Sequence, residues 1–302
     1  MIEVILVSVK WIMNRTKGFF SLLGCGLLLA CFGLLVRILN QYIGPLTQAG
    51  GRMLIAGLLI VPYLIIKRIP FITKPQNKLL FSSFILSFPL YIIFFTLSVI
   101  STKAANAFFY LFASTTLTSF VIGKMFFKER VMINHFISAI LLILGLIFLA
   151  YPFNFIQSGK GIITGIIGGV LYGVSNATRK FYADKVNRWT VMLYQMVSGA
   201  GLSFILTWFF NEFNRIKIAP VSITTLIVFG IGLVIIQILL FTGFKNFQLN
   251  IGSIVLASQL IFIEIIGVIF LKEIPTSFEL LGSIIIILAI VLSNLRLRKI
   301  YA

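Results

Sequence analysis

ASTTLTSFVIGKMFFKER (Ala113–Arg130) and ASQLIFIEIIGVIFLKEI (Ala257–Ile274) are two versions of one sequence, 144 residues apart, with identical residues at seven of eighteen positions. Each segment runs through glycine and large apolar residues to Lys-Glu, and each is followed by a polar start and a final apolar run. Such self-similarity predicts a chain built from two copies of one structural unit. We expect the Lys-Glu pairs, at 128–129 and 272–273, to mark span ends at the membrane interface rather than to catalyse a reaction.

The composition is that of a membrane protein. The 302 residues are 60% hydrophobic and only 11% charged, with a mean hydropathy of +1.10, whereas soluble domains carry about 25% charged residues. Runs of about 20 apolar residues are long enough to cross the hydrocarbon core of a bilayer. The sequence predicts ten such spans, at roughly 19–40, 46–66, 79–100, 104–126, 132–151, 159–182, 189–211, 221–243, 249–271 and 277–294.

The net charge of +18 could indicate nucleic-acid binding, but the placement of the charges favours a membrane topology. With the N-terminus inside, 18 basic residues fall in cytoplasmic segments, Arg179 among them, and five fall in outer loops. The positive-inside rule therefore predicts that both termini are cytoplasmic in the inner or plasma membrane. The basic segments are expected to attract anionic lipid headgroups, and no nucleic-acid partner is expected.

The repeat divides the chain into copies at residues 18–151 and 159–294, with five spans each. Because five is odd, the second copy enters the membrane in the opposite direction, so the predicted fold is an all-α bundle of two inverted five-helix repeats. Residues 1–17 are either an interfacial helix or, up to residue 12, not part of the native protein. Residues 295–302 form a basic cytoplasmic tail. The protein could be a monomer or a homodimer.

The two copies resemble the EamA-type transporters of the drug/metabolite transporter superfamily. The likeness lies in QAGGRMLIAGLLIVPYLI (Gln48–Ile65), in GVLYGVSNATRKFY (Gly169–Tyr182), in VMLYQM (Val191–Met196) and in the two segments after the Lys-Glu steps. It implies a secondary transporter with a central cavity that moves small organic metabolites, mostly outward. Some members instead import metabolites such as S-adenosylmethionine. Many members have a proline early in the fourth span of each copy, which this sequence lacks, so kinking of those helices is left open.

One acid falls well inside a predicted span. Glu264 shares a helical face with Asn250 and Ser253, and an intramembrane carboxylate normally faces a cavity or a partner. Arg37 and Arg52 are predicted at similar depths in the outer half of the membrane. Glu264 could pair with either arginine in one state and exchange it for a proton or substrate in another. The alternatives are a static ion pair, or snorkelling, which we favour for Arg37.

Neutral polar residues complete the predicted site. Asn106 and Tyr110 occupy the matching face of the fourth span, while four further residues lie toward the inner half and could donate or accept hydrogen bonds: Tyr172, Asn176, Gln195 and Gln237. Any of them could instead join helices together. Span six has a small residue at every fourth position from Gly161 to Ala177, which is typical of close helix packing.

Three classes of function fit a polytopic membrane protein. A metal-dependent membrane enzyme needs clustered carboxylates or histidines, and a channel needs charged rings or a carbonyl filter; the sequence suggests neither. We therefore expect a secondary transporter, not an enzyme, with no cofactor or metal. Export or exchange of an amino acid, nucleotide-like or amphipathic compound is favoured over uptake. Protons or a counter-substrate are candidate partners, and the embedded arginines favour a carboxylate or phosphate on the substrate.

Overall fold

A computed structural model describes residues 2–73, 77–102, 104–129, 132–151, 159–271 and 276–294. Their side chains are described from Asn14 onward, with further gaps, including that of Asn106. The structure is all-helical: α1 Ile2–Asn40, α2 Pro45–Ile66, α3 Lys78–Ser101, α4 Ala104–Phe126, α5 Ile133–Ala150, α6 Gly159–Tyr182, α7 Arg188–Phe209, α8 Pro220–Asn246, α9 Leu249–Leu256, α10 Gln259–Leu271 and α11 Ser277–Asn294, with a 3-10 turn at Glu212–Arg215.

Eight segments of the described chain are long and apolar enough to cross a membrane. They lie on α1 to α4, on α6 to α8, and on α9 continuing into α10. The apolar parts of α5 and α11 are shorter, Ile133–Phe148 and Leu280–Ser293. The structure thus shows a polytopic helical bundle, while the count of ten spans stays a prediction. Helix α1 begins at Ile2 and continues into the first span without a break.

The helix contacts repeat in the two halves. Helix α1 packs on α8, α9 and α10, and its counterpart α6 packs on α3 and α4. Helix α2 packs on α7, and α5 packs on α11. Exchanging α1–α5 with α6–α11 maps each of these contacts onto another contact in the set, so the two copies are interlocked through their first helices.

The helix ends gather on two faces of the bundle. On the first, which we name the basic face, an open cavity is bordered by Asn14 near the start of α1, Arg188 at the start of α7 and Asn246 at the end of α8. On the opposite face the Lys217 amide donates to the Tyr42 carbonyl at 2.8 Å, which joins the end of α1 to the loop before α8.

The fourth span differs between the copies. Helix α4 is continuous, whereas its counterpart stops at Leu256 and restarts at Gln259. At the break the amides of Ala257 and Ser258 donate to carbonyls three residues back, at 3.1 and 3.0 Å. Helix α1 closes on this point through Gly26, where a Cβ would lie 2.7 Å from the Ser258 hydroxyl oxygen. The ninth span is therefore interrupted, although this sequence lacks the proline that many family members have early in that span.

The small-residue face of α6 is a packing surface. A Cβ on Gly165 would lie 2.9 Å from the Tyr110 Cβ. A Cβ on Gly169 would collide with the backbone carbonyl of Leu111, which cannot rotate away as a side chain can. Glycines at these positions let α4 approach the α6 backbone directly.

Gly169→Ala is expected to lower the stability of the folded protein by roughly 2 kcal/mol or more, because the methyl group has no room beside Leu111. Gly201→Ala on α7 is the matched control, since no heavy atom lies within 4 Å of its would-be Cβ, and it should be neutral or slightly stabilising. Thermal unfolding in detergent measures both. Equal unfolding temperatures for the two variants would contradict the packing role.

The first Gly-to-Lys-Glu segment ends one helix and caps another. Helix α4 ends at Phe126, Lys128 takes a left-handed φ of 49°, and the Glu129 amide returns to the Gly123 carbonyl at 3.0 Å. The Glu129 carboxylate then accepts from the amides of Leu249 at 2.7 Å and Asn250 at 3.3 Å, the first residues of α9. A carboxylate at a helix N-terminus accepts hydrogen bonds from amides that have no partner within the helix, and it is attracted by the positive end of the helix dipole.

Lys180 of α6 completes this structural contact, with its ammonium 3.1 Å from Glu129. The first Lys-Glu pair is therefore more than an interfacial marker, because its acid joins α4, α6 and α9. The second pair, Lys272-Glu273, lies outside the described residues.

Glu129→Ala is expected to cost about 1–2 kcal/mol, because it removes the cap of α9 and leaves Lys180 without its acid. Asp184→Ala is the control: Asp184 also pairs with a lysine, Lys245, but its side chain is 71% exposed against 6% for Glu129. Exposed ion pairs contribute little, so the control should change thermal stability by less than about 0.5 kcal/mol. If Asp184→Ala lowers the thermal stability more than Glu129→Ala does, the proposed role of Glu129 in joining the helices is wrong.

Candidate functional site

Arg179 is fully buried in the last turn of α6. We counted Arg179 with the basic residues of the cytoplasmic segments, but its side chain is buried inside the bundle, because side chains on a helix point toward its N-terminus. Its Nη1 donates to the Asn176 side-chain oxygen at 2.8 Å, and its Nη2 donates to the Gln237 side-chain oxygen at 2.7 Å.

The hydrogen bonds continue from Arg179 across the bundle. The Gln237 amide nitrogen donates to the Gln195 side-chain oxygen at 2.6 Å, and the Gln195 amide nitrogen donates to the Phe84 carbonyl at 2.7 Å. This Arg179 chain, Asn176–Arg179–Gln237–Gln195, joins α6, α8, α7 and α3. All four side chains are fully buried. Neutral amides orient the guanidinium but leave its charge uncompensated.

Aromatic rings enclose the Arg179 guanidinium. Its Cζ lies 5.3 Å from the ring centres of both Phe88 and Phe241. A guanidinium over an aromatic face is attracted by the ring quadrupole, by about 2 kcal/mol when water is excluded. The rings therefore stabilise the cation without neutralising it.

Arg52 forms a second buried cation. It is 1% exposed, two turns into α2. Its Nη2 donates to the Ile92 carbonyl at 3.3 Å and to the Thr96 hydroxyl, and its Cζ lies 4.7 Å from the Phe229 ring centre. Its Nε and Nη1 have no hydrogen-bond partner among the described residues. Arg52 therefore retains donors for a further acceptor.

A small cavity lies beside Arg52. Arg52 lines it, and so does Phe88, whose ring also contacts Arg179. Tyr91 forms another wall and stacks on Tyr172, with ring centres 4.1 Å apart and planes at 15°. The space open to the centre of a water molecule is about 10 Å³, which is enough for one water. In this conformation the centre of the bundle is closed around its polar groups.

No acid reaches either arginine within the described part of the chain. The two ion pairs found there join Lys180 to Glu129 and Lys245 to Asp184. Glu212, the other buried acid, caps α2 by accepting from the Leu46 amide at 2.9 Å. Burying an unpaired cation costs several kcal/mol, so each of the two arginines is a candidate for binding an anionic group.

Comparison with known proteins identifies the family. A model of the EamA-like transporter family matches residues 16–151 and again residues 159–295. The chain belongs to the EamA-like transporter family. Comparison with curated protein sequences gives no significant match. A solved structure titled "Crystal structure of protein" is similar in fold, with a TM-score of 0.78 over 94% of this chain and 99% of that one, at 15% identity.

The family match confirms the expected resemblance and the two-repeat organisation. Four predicted site residues of this EamA-like transporter meet around Arg179: Asn176, Gln195 and Gln237 bond within its chain, and Tyr172 lies one turn before Asn176. The Tyr172 hydroxyl is buried and has no partner among the described residues.

Arg52, also predicted, is the second buried cation described above, and the other predicted residues are not part of the Arg179 chain. Glu264 of α10 is half-buried and accepts a hydrogen bond from Ser283 of α11. Arg37 is exposed, and the pairing of Glu264 with Arg37 or Arg52 stays a prediction. An exchange of partners between states stays a prediction.

The predicted face of spans four and nine is mostly occupied by packing. Asn250 and Ser253 are buried; the Ser253 hydroxyl bonds to the Asn250 carbonyl at 2.8 Å within α9. Tyr110 is buried where α4 meets Gly165, and the Asn106 side chain lies outside the described residues. A role in binding for these four stays a prediction.

Arg179 itself was not among the predicted site residues. The signal was present, because Tyr172, Asn176 and Arg179 are spaced i, i+4 and i+7 and so share one helical face. A polar face that ends in arginine, in a helix of mostly small and apolar residues, indicates burial of that arginine.

Gln237→Glu is expected to be more stable than Gln237→Leu, because a carboxylate would supply the acid that Arg179 lacks. The leucine variant should lose about 2–4 kcal/mol, since Arg179 and Gln195 would both lose a partner. Thermal unfolding of the purified variants compares them. If the glutamate variant unfolds as early as the leucine variant, the charge of Arg179 is already compensated.

Proposed function

We propose that this EamA-like transporter moves a small organic anion across the cytoplasmic membrane by alternating access. The observation that carries the proposal is the pair of buried arginines with no acidic partner in the described structure. Guanidinium groups bind carboxylates and phosphates through paired hydrogen bonds. The substrate would supply the negative charge that the described residues around the two arginines lack.

Alternating access needs two halves that can close at opposite ends. The interlocked contacts of the two copies support two inverted repeats of five spans, with the broken α9–α10 helix as the ninth span and α5 and α11 as the fifth and tenth. Arg52 lies in the N-terminal half of α2, and Arg179 lies near the C-terminal end of α6. In inverted repeats these positions lie toward opposite faces, so one arginine serves each side of the closed centre.

The position of the open cavity supports our proposal for the direction of transport. The basic face carries the loops that the positive-inside rule assigns to the cytoplasm, and it also carries the open cavity. An inner opening suits capture of a cytoplasmic metabolite, so we place export or exchange first and uptake second. Glu264, beside Ser283, is the candidate for coupling to protons.

Arg179→Gln is expected to reduce transport of acidic metabolites by at least about tenfold, because a hydrogen-bonded charge contributes about 1.5–3 kcal/mol. Arg179→Lys keeps the charge but loses the planar pair of donors, so its transport of acidic metabolites should lie between that of the parent protein and that of Arg179→Gln. Lys160→Gln, at the exposed start of the same helix, is the control. Untargeted mass spectrometry compares the metabolites taken up by inside-out membrane vesicles that contain each variant.

Variants are compared at equal amounts of folded protein, judged by gel filtration in detergent. The proposal fails if the metabolites that depend on the protein are neutral or cationic, or if Arg179→Gln transports acidic metabolites as well as Lys160→Gln does.

A further inference from the structure

The open cavity on the basic face has a volume of about 730 Å³, enough for a small metabolite. It lies where the first turns of α7 meet the last turns of α8 beside the cytoplasmic part of α1. Its polar wall consists of Asn14, Lys17, Asn187, Arg188, Lys245 and Asn246. We name this cavity the basic vestibule.

Within the described part of the chain, the basic vestibule is lined by three cations and no acid. Lys245 is paired with Asp184, which lies outside the wall and is exposed. Lys17 and Arg188 have no acidic partner among the described residues. The N-terminus of α7 also opens here and has no acid in its first turn, so the helix dipole adds to the positive potential.

One aromatic ring borders the vestibule and also contacts the buried Arg179. Phe241 lines the vestibule, and the Arg179 guanidinium also lies against its ring, 5.3 Å from the ring centre. Behind Phe241 the Phe84 ring lies 6.0 Å away and itself stacks on Tyr182 at 5.4 Å. Moving these rings would connect the two spaces.

We infer that the basic vestibule is a second anion-binding site, in series with the Arg179 site and separated from it by Phe241. Its occupant is an organic anion that carries a carboxylate or phosphate. The place of this site on a transport path rests on the proposed function, whereas anion binding in the vestibule does not. A lipid headgroup offers the same chemistry, so the test has to distinguish a free anion from a lipid.

Trp189 lines the vestibule and is half-buried, so its fluorescence can report on the ions that enter. Trp11→Phe and Trp208→Phe leave Trp189 as the single tryptophan. The protein is placed in nanodiscs of phosphatidylcholine, and quenching by iodide, by caesium and by neutral acrylamide is measured at constant ionic strength. A positive vestibule concentrates iodide and repels caesium.

Lys17→Gln with Arg188→Gln is expected to reduce iodide quenching about two- to threefold and to increase caesium quenching. Because the Arg188 Cζ lies 5.5 Å from the Trp189 ring centre, the iodide and caesium quenching of each variant is divided by its acrylamide quenching, which corrects for a change in the accessibility of Trp189. Lys160→Gln should behave as the parent protein. Citrate should reduce iodide quenching of the parent protein with a saturating dependence, and this effect should be lost in the double variant.

Three outcomes would overturn the inference. The first is iodide quenching that is equal in the parent and the double variant, and the second is a citrate effect that does not saturate. The third is loss of citrate competition when part of the phosphatidylcholine is replaced by phosphatidylglycerol, which would assign the site to a lipid headgroup. Because quenching requires no transport, failure of the Arg179 transport test would leave this result standing, and the reverse also holds.

Discussion

A guanidinium buried inside a membrane protein needs a partner, and within the described part of the chain no acid pairs with Arg52 or Arg179. The two buried acids whose partners are described, Glu129 and Glu212, both cap helix N-termini. Arg52 and Arg179 instead bond to carbonyls, a hydroxyl and amides, and contact aromatic rings. These neutral partners hold the cations without cancelling their charge, which is why we propose an anionic substrate.

The repeat explains why polar groups occur on both sides of that centre. Arg52 and Gln195 are each the eighth residue of the second helix in their copy. Each bonds to the third helix of the same copy: Arg52 to Ile92 and Thr96, and Gln195 to Gln237. The duplicated scaffold therefore provides two equivalent positions, and the sequences have diverged so that the second copy takes its cation from α6 rather than from α7.

Hydropathy and self-similarity predicted the helical membrane fold because both depend on local composition. The broken ninth span was not predictable from proline content, since the close approach of Gly26 to Ser258 comes from a helix more than 200 residues away. The cap of α9 by Glu129 likewise joins residues 120 positions apart. Arg179 was misplaced because counting charges near span ends treats each of them as a loop residue, whereas helical spacing would have placed it beside Asn176.

The most direct test of the central claim is whether the purified protein is stabilised by anions as a class. Thermal unfolding in detergent is measured with pairs of small metabolites that differ only in a carboxylate or its amide, and a phosphate or its free alcohol. The account predicts that at least one acid raises the unfolding temperature and that its neutral partner does not, because only the acid compensates the buried guanidinium groups. Equal stabilisation by both members of every effective pair would contradict it.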